Sequence, residues 1–228
     1  MIVWREVVFD ALLSEPVRNG VYKAKEFHGR GVKVVNMKEL FGFDRIDDQP
    51  ELRVALTESE LERFQLQPDD LLFARRSFVF EGSGKCSIIG CPSEATVFES
   101  SMIRARLDPQ KANASFLFYL FLSPYGRARM ASIATRTAVS GITGSNLAGL
   151  RLEVPAVDVQ GRIARVLAAF DELIDNNRRR VEVLEEITRT IYREWFVRFR
   201  YPGHEGVPLV DSSGSPPVPV GRSGGDRR

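Results

Sequence analysis

Between Val159 and Phe199 the chain runs for about 40 residues without a proline, and Gly161 is its only glycine there. Stepping alternately by four and three from Ile163 lands on Ile163, Leu167, Phe170, Ile174, Asn177, Val181, Leu184, Thr188, Ile191 and Trp195. Eight of these ten positions are apolar, the pattern of a helix with a sustained heptad seam. At 1.5 Å per residue such a stretch makes a rod of about 60 Å. A rod that long cannot bury its seam inside one domain of a 228-residue chain, so the seam is expected to meet a second long helix. A polar residue buried in such a seam, Asn177 here, costs stability but fixes register and orientation. The competing arrangement is two shorter helices, broken near Asp175-Asn-Asn177 and folded back as a hairpin.

Composition divides the chain into three zones. Residues 1–155 mix short apolar runs with Gly, Pro, Ser and Asp punctuation and read as an α+β domain. Strands are expected at Val32–Met37, Asp70–Ala74, Cys86–Ile89, Thr96–Phe98 and Met102–Leu107. Thr57 followed by acidic residues signals the start of a short helix. Ala114–Ser123 is apolar nearly all round and predicts a helix buried in the domain core, about half the length that spans a bilayer. Residues 156–200 form the rod. Residues 201–228 hold six Gly, five Pro and four Ser, a composition that cannot bury a core and is expected to be a disordered tail.

The net charge of +2 decides nothing about partners until it is resolved along the chain. Residues 39–70 carry 10 acids and 3 bases, whereas residues 71–136 carry 9 bases and 4 acids. The acids read as a solvated surface; the basic stretch, with Arg75, Arg76, Lys85, Arg104, Arg106, Arg127, Arg129 and Arg136, is compatible with a polyanion. Charges where a signal peptide needs an apolar core, and no run of 18 apolar residues, point to a cytoplasmic protein outside the membrane. Cys86 and Cys91 lack the further nearby Cys or His ligands of a zinc site and read as reduced thiols, partly buried.

Catalytic patterns are scarce. Gly82-Ser-Gly-Lys-Cys86 resembles a phosphate loop only superficially, because a thiol stands where a hydroxyl would hold Mg²⁺. The sole Pro-Pro pair lies in the tail, so an Asn/Asp-Pro-Pro-aromatic loop for a flipped base is missing. Two histidines, His28 and His204, form no acid–base pair. The chain reads as a binder rather than an enzyme, with no metal and no catalytic residue assigned. Arg75, Arg76 and Ser77 follow an expected strand, and two guanidiniums can grip phosphate or read guanine. The polar segment Thr135–Leu147, with Arg136, Ser140, Thr143 and Asn146, has the hydroxyls and glycines that suit a phosphate backbone.

In order along the chain, four segments resemble the specificity (S) subunits of type I restriction-modification systems. They are Pro68-Asp-Asp-Leu-Leu-Phe-Ala-Arg-Arg-Ser, Ser140-Gly-Ile-Thr-Gly-Ser-Asn-Leu-Ala-Gly-Leu-Arg-Leu-Glu-Val-Pro, Gln160-Gly-Arg-Ile-Ala through Asn176-Asn-Arg-Arg-Arg, and Leu184-Glu-Glu-Ile-Thr-Arg-Thr-Ile-Tyr-Arg-Glu-Trp-Phe-Val. The resemblance covers roughly residues 1–210 and is most specific in the helical part.

It implies an α+β target recognition domain that reads half of a split site in double-stranded DNA, followed by a spacer helix packed antiparallel on a counterpart. Modification subunits would dock along that helical core and a restriction subunit could join. S-adenosylmethionine would be bound by the modification subunit and no cofactor by this chain. Complete family members carry two recognition domains and two spacer helices; this sequence carries one of each, and the tail from Gly206 looks like the start of an inter-domain linker. A homodimer is therefore expected, reading an inverted-repeat bipartite site.

The residues expected at DNA are Arg75, Arg76, Ser77, Lys85, Arg136, Ser140, Thr143 and Asn146. Those expected at the helical interface are Ile163, Leu167, Phe170, Ile174, Val181, Leu184, Ile191 and Trp195. The alternatives are a truncated, inactive fragment and a coiled-coil interaction module without DNA binding.

Overall fold

The computed structural model describes residues 2–77, 80–135, 140–203 and 205. Arg136 and the tail from residue 206 lie outside the described residues. The chain opens with strands β1 (Arg5–Val8), β2 (Arg18–Asn19) and β3 (His28–Val35), helix α1 (Met37–Gly42), strands β4 (Arg45–Ile46) and β5 (Arg53–Val54), and helix α2 (Glu58–Phe64). Strands β6 (Leu71–Ala74), β7 (Arg76–Ser77), β8 (Cys86–Ile89), β9 (Thr96–Phe98) and β10 (Met102–Ala105) come next. Helices α3 (Ala114–Leu122) and α4 (Pro124–Ile133), strand β11 (Ser140–Gly141), helix α5 (Gly144–Ala148), strand β12 (Arg151–Val154) and helix α6 (Val157–Tyr192) complete the order.

The centre of the domain is a five-stranded sheet in the order β2-β10-β6-β8-β4. All four residues of β6 are buried, as expected of a strand covered on both faces. Period-2 alternation sends Leu71 and Phe73 to one core and Leu72 and Ala74 to another. On the first face Phe9, Phe73 and Phe121 meet edge to face with centroids 5.0–6.1 Å apart, the geometry aromatic quadrupoles favour. Helix α3 buries Phe116, Leu117, Phe118 and Phe121 against that face. A three-stranded sheet, β5-β3-β9, adds a smaller core around Val21, Val34, Val54 and Val97. Strand β1 pairs antiparallel with β12, tying the N-terminal segment to the strand that leads into α6.

Several expected boundaries shift for local reasons. The first expected strand ends at Val35 because Asn36 caps α1: its side chain accepts from Lys38 N, and Glu39 reaches back to Asn36 N. Thr57 caps α2 in the same reciprocal way with Glu60. Strand β10 stops at Ala105, before the expected Leu107.

Two compact units are present, divided between Ala169 and Phe170, inside α6 rather than ahead of it. The reason lies in the first turns of the helix. Gln160 is fully buried; its Oε1 accepts from Asn113 N at 2.9 Å and its Nε2 donates to Pro155 O at 2.9 Å. Ala164 is buried and Ile163 packs on the main core. Helix α6 runs unbroken for 36 residues through Asp175-Asn-Asn177, which excludes the hairpin, and ends in a π-helical turn, Arg193–Val197. Among the described residues no helix is long and apolar enough to cross a membrane.

Candidate functional site

Two segments more than 60 residues apart come together at β7 and β11. Ser77 pairs with Ser140 and Arg76 with Gly141 in an antiparallel ladder. Ile142 N donates to Arg75 O at 3.0 Å, and Thr135 N to Gly141 O at 2.9 Å. The ladder is tight enough to select the residue at 141. A Cβ there would sit 2.7 Å from Arg75 O, so only glycine fits without moving backbone. The strands wall a cleft of about 380 Å³ lined by Arg75, Arg76, Thr135, Gly141, Ile142 and Thr143. Arg76, Thr135 and Thr143 are exposed, and Arg75 is half-buried with Nη1 donating to Ser100 O at 3.4 Å. Thr143 caps α5, accepting from Asn146 N at 3.1 Å; Asn146 is exposed and its Nδ2 donates to Ile133 O at 3.4 Å. Guanidiniums, hydroxyls and backbone amides gathered at one concavity are the groups that hold a phosphodiester backbone.

The structure brings Arg75, Arg76 and Thr143 to one cleft, with Asn146 on the turn that Thr143 caps, and places the other residues expected at DNA differently. Ser77 and Ser140 are only 7% exposed; they form the ladder that builds the cleft rather than its surface. Lys85 lies outside the cleft lining and is bound by Asp44 Oδ1 at 2.7 Å, so its charge is already answered. Arg136 falls outside the described residues. Thr135 and Gly141 belong to the polar segment expected at phosphate, but their pairing is not legible in sequence, because two-residue strands and single bridges carry no periodicity that would announce it.

The basic stretch is also less of a surface than its composition implied. Arg104 is 2% exposed and donates Nη2 to Glu15 Oε1 at 2.8 Å. Arg106 Nη1 forms an ion pair with the same oxygen at 2.9 Å, and the guanidinium grips Asp70 with Nε and Nη2, both at 2.7 Å. Burial, with the Arg106 charge beside it, draws the Arg104 guanidinium below its ordinary range. Asp70 and Glu39 are themselves buried, so the acidic segment is not wholly solvated either. Cys86 is a buried free thiol pushed up by its burial, and Cys91 is exposed. Among the described residues no three His, Cys, Asp or Glu side chains gather as a metal site.

Along α6 the seam is present and open. Leu167, Phe170, Ile174, Val181, Leu184, Ile191 and Trp195 are 36–62% exposed. Ile163 is the exception: it is half-buried and packs on the domain's own core. Leu173 and Ile187, 53% and 49% exposed, widen the apolar face beyond the heptad positions. The strict four-three stepping passed over them.

The family model described as the type I restriction modification DNA specificity domain matches residues 32–186. The EcoKI specificity subunit of Escherichia coli K12 is 28% identical over 165 residues, covering 72% of this chain and 35% of that protein. The MjaIX specificity subunit of Methanocaldococcus jannaschii is 30% identical over 86 residues, covering 38% of this chain and 20% of its own. The crystal structure of the S subunit from M. genitalium superposes with a TM-score of 0.59 at 17% identity, covering 86% of this chain and 46% of that one. The HsdS subunit from Thermoanaerobacter tengcongensis gives a TM-score of 0.53 at 16% identity, covering 85% and 44%. The chain thus spans less than half the length of each of these proteins. The match to the family model extends over most of the folded domain and the greater part of α6, and on that basis the chain belongs to the type I restriction-modification DNA specificity domain family.

Proposed function

We propose that this chain is the sequence-reading component of a type I restriction-modification system, in which the domain reads one half of a split DNA site. The observation that carries the reading is the β7–β11 ladder, which delivers Arg75 and Arg76 to the same cleft as Thr135 and Thr143. Phosphate contacts there supply affinity and orientation; base-edge contacts worth about 1–3 kcal/mol each supply discrimination. The open seam from Phe170 onward pairs antiparallel with a second copy, so that two identical readers related by a dyad specify an inverted-repeat site. The chain transfers nothing itself. It positions a modification subunit, which binds S-adenosylmethionine and docks along the helix, where Leu173 and Ile187 extend the apolar face; with a restriction subunit the same recognition licenses cleavage. The setting is the cytoplasm.

Fluorescence anisotropy with random-sequence duplexes, with and without a modification subunit, tests the reading. Binding that falls steeply as salt rises is expected. No binding in either condition would leave the truncated fragment or the DNA-free interaction module in its place.

A further inference from the structure

The two polar positions of the seam determine how two copies align. We infer that the antiparallel pair, on the dimer reading just given, adopts the register that sets Asn177 opposite the partner copy's Thr188. That alignment places Phe170 on the partner's Trp195, Ile174 on its Ile191 and Val181 on its Leu184, each layer occurring twice about the dyad. It begins at Phe170, where the second compact unit begins, and leaves out Ile163, which packs half-buried on the domain's core.

Hydrogen bonding and charge both select this register. Thr188 donates its hydroxyl proton to Leu184 O at 2.8 Å, leaving its oxygen to accept from the Asn177 amide, so the polar layer is satisfied rather than buried unpaired. Arg178 and Glu185 flank the seam with side chains 74% and 60% exposed. Each also has a neighbour on its own helix, Asp175 at 3.6 Å and Arg189 at 3.1 Å, in pairs exposed enough to be shared, and this alignment sets each against the other's counterpart.

A shift of one heptad toward the domain pairs Arg178 with its own copy and Glu185 with Asp171, both repulsive, and puts Asn177 on Val181. A shift of two heptads puts Asn177 on Ile174 and Thr188 on Ile163. A shift the other way opposes Glu185 to Glu185 and buries Asn177 against Trp195. Only one register satisfies both polar positions and both charges.

Cysteine pairs distinguish the alignments directly. In a Cys91→Ser background, copies carrying Ile174→Cys are mixed with copies carrying Ile191→Cys, Leu184→Cys or Asn177→Cys and oxidised mildly. The first mixture is expected to form the disulfide-linked dimer; the second or third doing so preferentially overturns the register while leaving the dimer intact. A monomeric mass with no cross-link in any mixture overturns the dimer reading as well.

The sign of a charge change supplies an independent check by sedimentation. Glu185→Arg is expected to weaken the dimer about tenfold, because two attractive pairs become repulsive, and Arg178→Glu in the same chain to restore it. Tighter association of Glu185→Arg would instead reveal the partner's Asp171 opposite it and overturn the proposal. These positions are exposed in the single chain, so a domain melting transition unchanged from wild type separates loss of pairing from loss of fold.

Discussion

The domain and the distal part of α6 draw on the same apolar vocabulary and reach opposite outcomes. In the domain, Phe9, Phe73 and Phe121 are at most 1% exposed; from Arg165 to Arg193 every residue of the helix is exposed. A sheet sandwiched by helices finds its partners within its own chain. A single helix cannot, because its seam needs a second surface of equal length. Burial is thus a property of what an element is offered, and the seam stays exposed for the same reason that the buried strand is a core.

The largest effect separating the two regions is expected in the core. Phe73→Ala removes the ring that meets both Phe9 and Phe121 and should cost about 3–5 kcal/mol in denaturant unfolding of the domain. A cost below about 1 kcal/mol would mean that the aromatic cluster is not the centre of stability.

In the helix, Leu184→Asp should leave that unfolding transition in place and abolish association instead. Each dimer carries the changed residue in two layers, and a buried unpaired carboxylate at each should raise the dissociation constant by at least about a hundredfold. Light scattering would then report half the mass. An unchanged mass refutes the seam, and an unfolded domain refutes the separation of the two regions.

The same contrast explains what could be read from sequence. Long regular elements were legible: Cys86–Ile89 and Thr96–Phe98 fall where alternation places them, Thr57 caps its helix, and α6 is continuous. What escaped depends on contacts distant in sequence or on capping with little periodicity. Helix α4 begins at Pro124 directly after α3, with Ser123 ending one helix and capping the next, and its Arg127 and Arg129 mask any apolar stripe. The β7–β11 ladder consists of two residues on each side. Arg104 and Arg106 counted as surface charge because nothing local reveals that Glu15 and Asp70 await them. Gln160 stood inside a recognisable motif, yet its task, fastening the root of α6 to Asn113, emerges only in three dimensions.

A smaller effect is expected at the cleft. Arg76→Ala should weaken DNA binding by about 1 kcal/mol and flatten the dependence of log affinity on log salt by about one unit if Arg76 meets phosphate. If it reads a guanine instead, the loss should be confined to the cognate sequence. Lys85→Ala, whose charge Asp44 already answers, should change neither, and a comparable loss there would move the interface away from the cleft.

The smallest effect concerns charge within the domain. Arg53 grips Glu94 with Nη1 and Nη2 at 2.9 and 2.8 Å. That pairing, opposed by desolvation and aided by Lys33, holds the Glu94 carboxyl below the usual glutamate range. A carboxylate depressed in the folded state contributes stability that is present above its unfolded value, about 4.3, and is lost as pH falls through the folded value. The melting temperature should therefore fall on acidification below about pH 4.5. Arg53→Met should melt slightly lower than wild type at pH 7 and decline less steeply, the two curves converging once the pH is below the folded value; parallel curves would show that Arg53 carries none of the acid limb. Because this pair joins segments 41 residues apart, its loss registers in the domain's cooperative melting. The Arg189–Glu185 pair joins residues four apart on one helix, and breaking it can only loosen a turn unless a second copy is bound there.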